Sequence, residues 1–119
     1  MPHLKLAFIP LIAGLLLGCS QSQPTLYYWG DYQKTLYLYN HPEKSSQSEQ
    51  ISAIETLIEQ AQSYNMPAPP GVHAQLGLLY SNIGNTPKAI EQFELEKRDF
   101  PESITLMNML LNNAKGIKA

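Results

Sequence analysis

VHAQLGLLYSNIGNTPKAIEQFELEKRDFP, residues 72–101, is the most regular stretch of the chain. His73, Leu76, Leu79, Tyr80 and Ile83 recur at the three- and four-residue spacing that places side chains on one helical face. Gly84-Asn85 breaks that helix. Thr86 is placed to cap a second one, with Pro87 at its first position, where a missing N–H costs nothing. Ala89, Ile90 and Phe93 then make the inner face, and Phe100-Pro101 stops the run. Two helices joined by a tight turn make an αα-hairpin, and an all-α fold follows if the flanks read the same way.

They do. On the N-terminal side Met66-Pro67-Ala68-Pro69-Pro70-Gly71 is a break, with Pro70 suited to the first turn of the helix that follows. Before it, Ile51, Ile54, Leu57, Ile58 and Ala61 predict a helix from about Ser48 to about Asn65, with Glu49, Glu55 and Glu59 pointing elsewhere. Earlier still, Asp31 can cap a helix from about Tyr32 to Asn40, ended by His41-Pro42, with Tyr32, Leu36 and Tyr39 expected on its core face. On the C-terminal side Ser103 is expected to cap a last helix reaching about Asn113. Its apolar residues are Ile104, Leu106, Met107, Leu110 and Leu111. The expectation is about five helices in one domain spanning residues 26–119.

The spacing of Gly77, Tyr80, Ala89, Phe93 and Pro101 resembles one tetratricopeptide repeat, covering residues 70–103. That resemblance implies close approach of the two helices at Gly77 and Ala89, filled by Tyr80 and Phe93, with Pro101 ending the unit. Two positions depart from the pattern: Glu96 stands where a small residue is usual, and His73 where a large aromatic is usual. Residues 32–64 would form a preceding, degenerate pair with a longer loop and no small residue at the expected place in its first helix.

The N-terminus carries a different signal. His3 and Lys5 precede an apolar body from Leu6 to Leu17, and Leu16-Leu17-Gly18 precedes the chain's only cysteine, Cys19. A cationic start, an apolar run and a small residue before the cut describe a secretory signal peptide over residues 1–18. The run is shorter than the roughly 20 apolar residues of a membrane span. A cysteine directly after the cut resembles the bacterial lipobox, which implies a lipid-modified Cys19 as the new N-terminus. Residues 19–25 would then be a lipidated tether, and Ser20 rather than Asp after the cysteine implies, by resemblance to enterobacterial sorting, the outer membrane. The expected location is lipid-anchored there, facing the periplasm.

Residues 19–119 carry seven Lys or Arg against ten Asp or Glu, with no basic stripe, which argues against nucleic acid. His41 and His73 lack the spacing of a metal site, and no Ser-His-Asp set, phosphate loop or supported acid pair can be named. No catalytic residue, metal or cofactor is therefore expected beyond the covalent lipid, and a cell-wall enzyme is disfavoured.

The aromatic cluster Tyr27, Tyr28, Trp29, Tyr32, Tyr37, Tyr39 remains. Tyr32 and Tyr39 fit the core; Tyr28, Trp29 and Tyr37 are the candidates for contact with a partner, and nearness to Cys19 also suits a membrane interface. The lipobox, the Tyr-Tyr-Trp-Gly-Asp-Tyr motif at 27–32 and the helices after it resemble a family of small bacterial outer-membrane lipoproteins. That resemblance implies an envelope assembly shared with a lipoprotein like the curli-secretion channel. The expected function is a non-catalytic, protein-binding accessory subunit of such a secretion or surface-assembly complex. The alternative is a lipoprotein activator of a peptidoglycan synthase, against which a tether of about five residues offers little reach across the periplasm.

Overall fold

The structure, a computed structural model, describes residues 25–116. The expected signal peptide (residues 1–18) and Cys19 lie outside the described residues. Among the described residues five α-helices follow one another: α1 Tyr32–Asn40, α2 Gln47–Ser63, α3 Val72–Asn82, α4 Thr86–Asp99 and α5 Ile104–Ala114, the last preceded by a 3₁₀ turn at Pro101–Ser103. Each helix packs against its neighbour in sequence, so α1 and α5 stand at opposite ends of the order, and α3 and α4 make the most extensive contact. Among the described residues there is no β-strand.

The helix starts show how local chemistry sets the boundaries. Ser46 caps α2, which starts at Gln47: its hydroxyl accepts the Glu49 N–H at 3.1 Å, the spacing of a Ser-x-x-Glu box. Asn85, not Thr86, caps α4 by accepting the Lys88 N–H at 3.3 Å, which moves Pro87 one position deeper into the first turn. Ser103 stands before α5, but its hydroxyl donates to the Phe100 carbonyl at 2.7 Å and caps nothing on that helix. Pro70 precedes α3 instead of opening it, because Gly71 occupies the capping position with φ +91°.

Two helix ends share one device. After α3, Gly84 has φ +80° and Asn85 N–H donates to Tyr80 C=O at 2.8 Å. After α2, Asn65 has φ +53° and Met66 N–H donates to Ala61 C=O at 3.0 Å. Both are Schellman closures that satisfy orphaned carbonyls, and asparagine is among the few residues besides glycine that adopt the left-handed conformation.

The core is continuous through α2, α3, α4 and α5. One buried cluster joins Ile51, Ile54 and Leu57 of α2, Val72, Leu76, Leu79 and Tyr80 of α3, Ala89 and Phe93 of α4, and Met107 and Leu111 of α5. Gly77 is the tightest point. A Cβ built there would lie 2.6 Å from Phe93 Cδ1, so glycine is required for the ring to pass. α1 is seated differently from the expected way. Thr35, not Leu36, points to the core, and Gln75 Nε2 on α3 donates to the Thr35 carbonyl at 3.2 Å. A short side chain lets the backbone of α1 come within hydrogen-bond reach of α3, and Leu36 is turned outward.

Candidate interaction surface

Of the residues singled out in the sequence, Gly77, Tyr80, Ala89 and Phe93 come together in the α3–α4 interface, all buried, and Pro101 opens the 3₁₀ turn that follows. The Tyr80 hydroxyl donates to a Glu55 carboxylate oxygen on α2. Burial, then that hydrogen bond and the negative charges of Glu55 and Glu91, push the phenol up to about 12. Lys88 Nζ sits 5.1 Å from the same ring centroid.

Glu96 explains its own departure from the repeat pattern. It is 3% exposed, and one carboxylate oxygen accepts the Gly71 N–H at 2.7 Å while the other faces the Ala74 N–H at 3.4 Å. Gly71 has no side chain with which to cap α3. A carboxylate supplied from α4, 25 positions along the chain, satisfies the N-terminal amides and complements the helix dipole. His73 stands beside this cap. Its Nδ1 lies 2.7 Å from Gln92 Oε1 and its Nε2 4.0 Å from Asp99. It is a packed histidine whose polar atoms meet α4.

His41 is elsewhere, its ring 4.2 Å from that of Tyr37. Among the described residues no group of three or more His, Cys, Asp or Glu is placed to hold a metal ion. The acidic stretch of α4 is partly paired, with Glu94 meeting Lys97 at 4.0 Å and Arg98 turned to Asp99 at 2.8 Å, where a Glu94–Arg98 pair would have suited the four-residue spacing.

The aromatic N-terminal segment forms a strap. Tyr28 N–H donates to the Pro67 carbonyl at 2.9 Å, its hydroxyl donates to Gln60 at 3.1 Å, and its ring stacks on Tyr64 with centroids 5.2 Å apart. Gly30, at φ +38°, lets the strap pass close over the Tyr28 ring and Leu57. Tyr27 reaches Phe100 at 5.8 Å and Trp29 at 6.2 Å, and Trp29 lies edge-on to Tyr32 at 5.0 Å. Tyr28 is thus engaged within the chain, while Trp29 and Tyr37 keep exposed surface.

A second surface escaped the sequence reading. Helices α3 and α5 carry no Asp, Glu, Lys or Arg, whereas α2 and α4 carry ten between them. Between α3 and α5 runs a groove of about 330 Å³ lined by Leu78, Ser81, Thr86, Leu110 and Asn113, with Phe93 at its base. Leu106 and Met109 on α5 are about half exposed. The signal was present in the sequence as a run without Asp, Glu, Lys or Arg from Gln60 to Pro87, but only the packing shows that α3 and α5 share a side.

Geometry of this kind defines a small helical protein whose surface offers grooves and an aromatic strap, with its buried ionisable groups used for capping and packing. The family model described as Domain of unknown function (DUF4810) matches residues 26–110, and the chain belongs to that family. No curated protein and no solved structure matches the chain. Among the described residues, no helix is long and apolar enough to cross a membrane.

Proposed function

We propose that this chain is an outer-membrane lipoprotein, anchored through Cys19, that acts as a non-catalytic, protein-binding accessory subunit of an envelope secretion or surface-assembly complex. Its partner on this reading is a lipoprotein resembling the curli-secretion channel. The observation that carries the binding role is the groove between α3 and α5, lined by Leu78, Ser81, Thr86, Leu110 and Asn113, with no Asp, Glu, Lys or Arg on either helix. A groove of leucine, hydroxyl and amide groups suits an apolar helix or extended segment, which would bury leucine surface without stranding a charge. The tetratricopeptide-like spacing of Gly77, Tyr80, Ala89, Phe93 and Pro101 supports the same reading, since stacked helical hairpins present such grooves. The lipobox at Cys19 and the short tether favour a partner in or near the outer membrane.

The test is co-purification of the lipidated chain with the channel-like lipoprotein after co-expression. The wild-type chain is expected to retain it, and Ser81→Asp with Asn113→Asp, which puts two charges into the groove, to retain at least tenfold less. Equal recovery by the two would remove the groove from the interface, and failure of the wild-type chain to retain the channel-like protein at all would exclude that partner.

A further inference from the structure

We propose that the outward face of the N-terminal segment, formed by Leu26, Trp29, Leu36 and Tyr37, rests on the anionic headgroup surface of the bilayer that holds the chain. The inference rests on the lipid anchor proposed above and adds an orientation to it.

Exposure comes first. Leu26 is 77% exposed, Tyr37 50%, Trp29 42% and Leu36 37%, in a stretch of only twelve residues. Tryptophan and tyrosine, with apolar bodies and polar tips, suit the boundary between water and lipid, and the leucines add apolar surface to bury there. The strap is also held firmly enough to present them. The Tyr28 ring, its hydroxyl and its N–H are all engaged with α2 and the turn at Pro67, and the Trp29 ring is braced by Tyr27 and Tyr32.

Charge separates this face from the rest of the molecule. Residues 25–40 carry one acid, Asp31, and one base, Lys34, and so balance. Residues 41–116 carry nine Asp or Glu against five Lys or Arg, an excess of four negative charges. An anionic surface repels the second region and tolerates the first, so electrostatics alone would turn α1 toward it. Chain length completes the case. Cys19 and Leu26 are separated by seven peptide steps, a reach of at most about 25 Å at roughly 3.5 Å per residue. A lipid on Cys19 therefore cannot leave this face far from the headgroups.

Trp29 is the chain's only tryptophan, so its fluorescence reports on this face alone. The full-length, processed protein is reconstituted into vesicles of phosphatidylethanolamine and phosphatidylglycerol, with and without brominated acyl chains, and its lipidation is read by mass spectrometry. The expected result is a blue-shifted Trp29 emission, at least twofold quenching by brominated lipid and protection from acrylamide. Leu26→Glu with Tyr37→Glu should abolish the quenching while flotation with vesicles persists. A lipidated chain that floats but shows no lipid quenching and full acrylamide access overturns the orientation and leaves the anchor standing; a protein partner on this face would give that result. A chain without lipid whose Trp29 is still quenched by anionic vesicles supports the docking face and refutes the anchor. A chain neither lipidated nor quenched refutes both.

Discussion

Phe93 in α4 and Trp29 in the strap are both large aromatic residues, and they are used in opposite ways. Phe93 is buried against a glycine that leaves no room for a methyl group, at the centre of the most extensive helix–helix contact. Trp29 lies edge-on to two tyrosines, with much of its ring in solvent. The α3–α4 hairpin is held by complementary apolar shape and by a carboxylate cap. The N-terminal segment is held by rings leaning on rings and by individual hydrogen bonds, from Tyr28 to Pro67 and Gln60 and from Gln75 to Thr35. A region assembled in the first way resists opening. One assembled in the second keeps surface available for contact at little cost to the fold.

The comparison can be broken most forcefully at Phe93. Phe93→Ala is expected to cost about 3–5 kcal/mol, the range for emptying a buried aromatic site, measured as a shift in the urea midpoint. Next comes the cap. Glu96→Ala strands the amides of Gly71 and Ala74 and is expected to cost about 1.5–3 kcal/mol, with Glu96→Gln costing less because an amide oxygen can still accept. Tyr80 gives a pH signature. Its phenol is pushed up to about 12 in the folded chain, against an ordinary value of 10. Above pH 10 the unfolded chain sheds this proton while the folded chain holds it, so stability is full below pH 10 and falls as pH rises toward about 12. Tyr80→Phe should flatten that fall in urea midpoints taken across the range. The smallest effect is expected at Trp29, where Trp29→Ala should change the thermal midpoint by the equivalent of less than about 1 kcal/mol. A loss as large as that of Phe93→Ala would erase the distinction between the two regions.

The same contrast explains how much could be read from residues alone. The hairpin was legible because its determinants are periodic and close together: three- and four-residue spacing, Gly84-Asn85 at the turn, and Gly77 and Phe93 at a repeat-like interval. What escaped the reading depends on contacts between distant parts of the chain. Glu96 departs from the repeat spacing because it caps the bare N-terminus of α3, 25 positions away in the chain. Leu36 fits a core face by spacing, but the short Thr35 takes that place and lets α1 approach Gln75. Asn65 carries the left-handed closure of α2 without the glycine that usually announces it. The groove between α3 and α5 is likewise a product of packing, since neither helix alone reveals which side it shares with the other.

Native-state hydrogen exchange of the full-length protein reads the difference between the two regions directly. Amides of α3 and α4, from Leu76 to Asn82 and from Ile90 to Glu96, are expected to exchange only through global unfolding. Amides of α1, from Leu36 to Asn40, are expected to exchange at least tenfold faster through a local opening that leaves the hairpin intact. Equal protection of α1 and the hairpin would show that the aromatic strap is as much a part of the cooperative core as Phe93, and would contradict the separation of a folding unit from a contact surface.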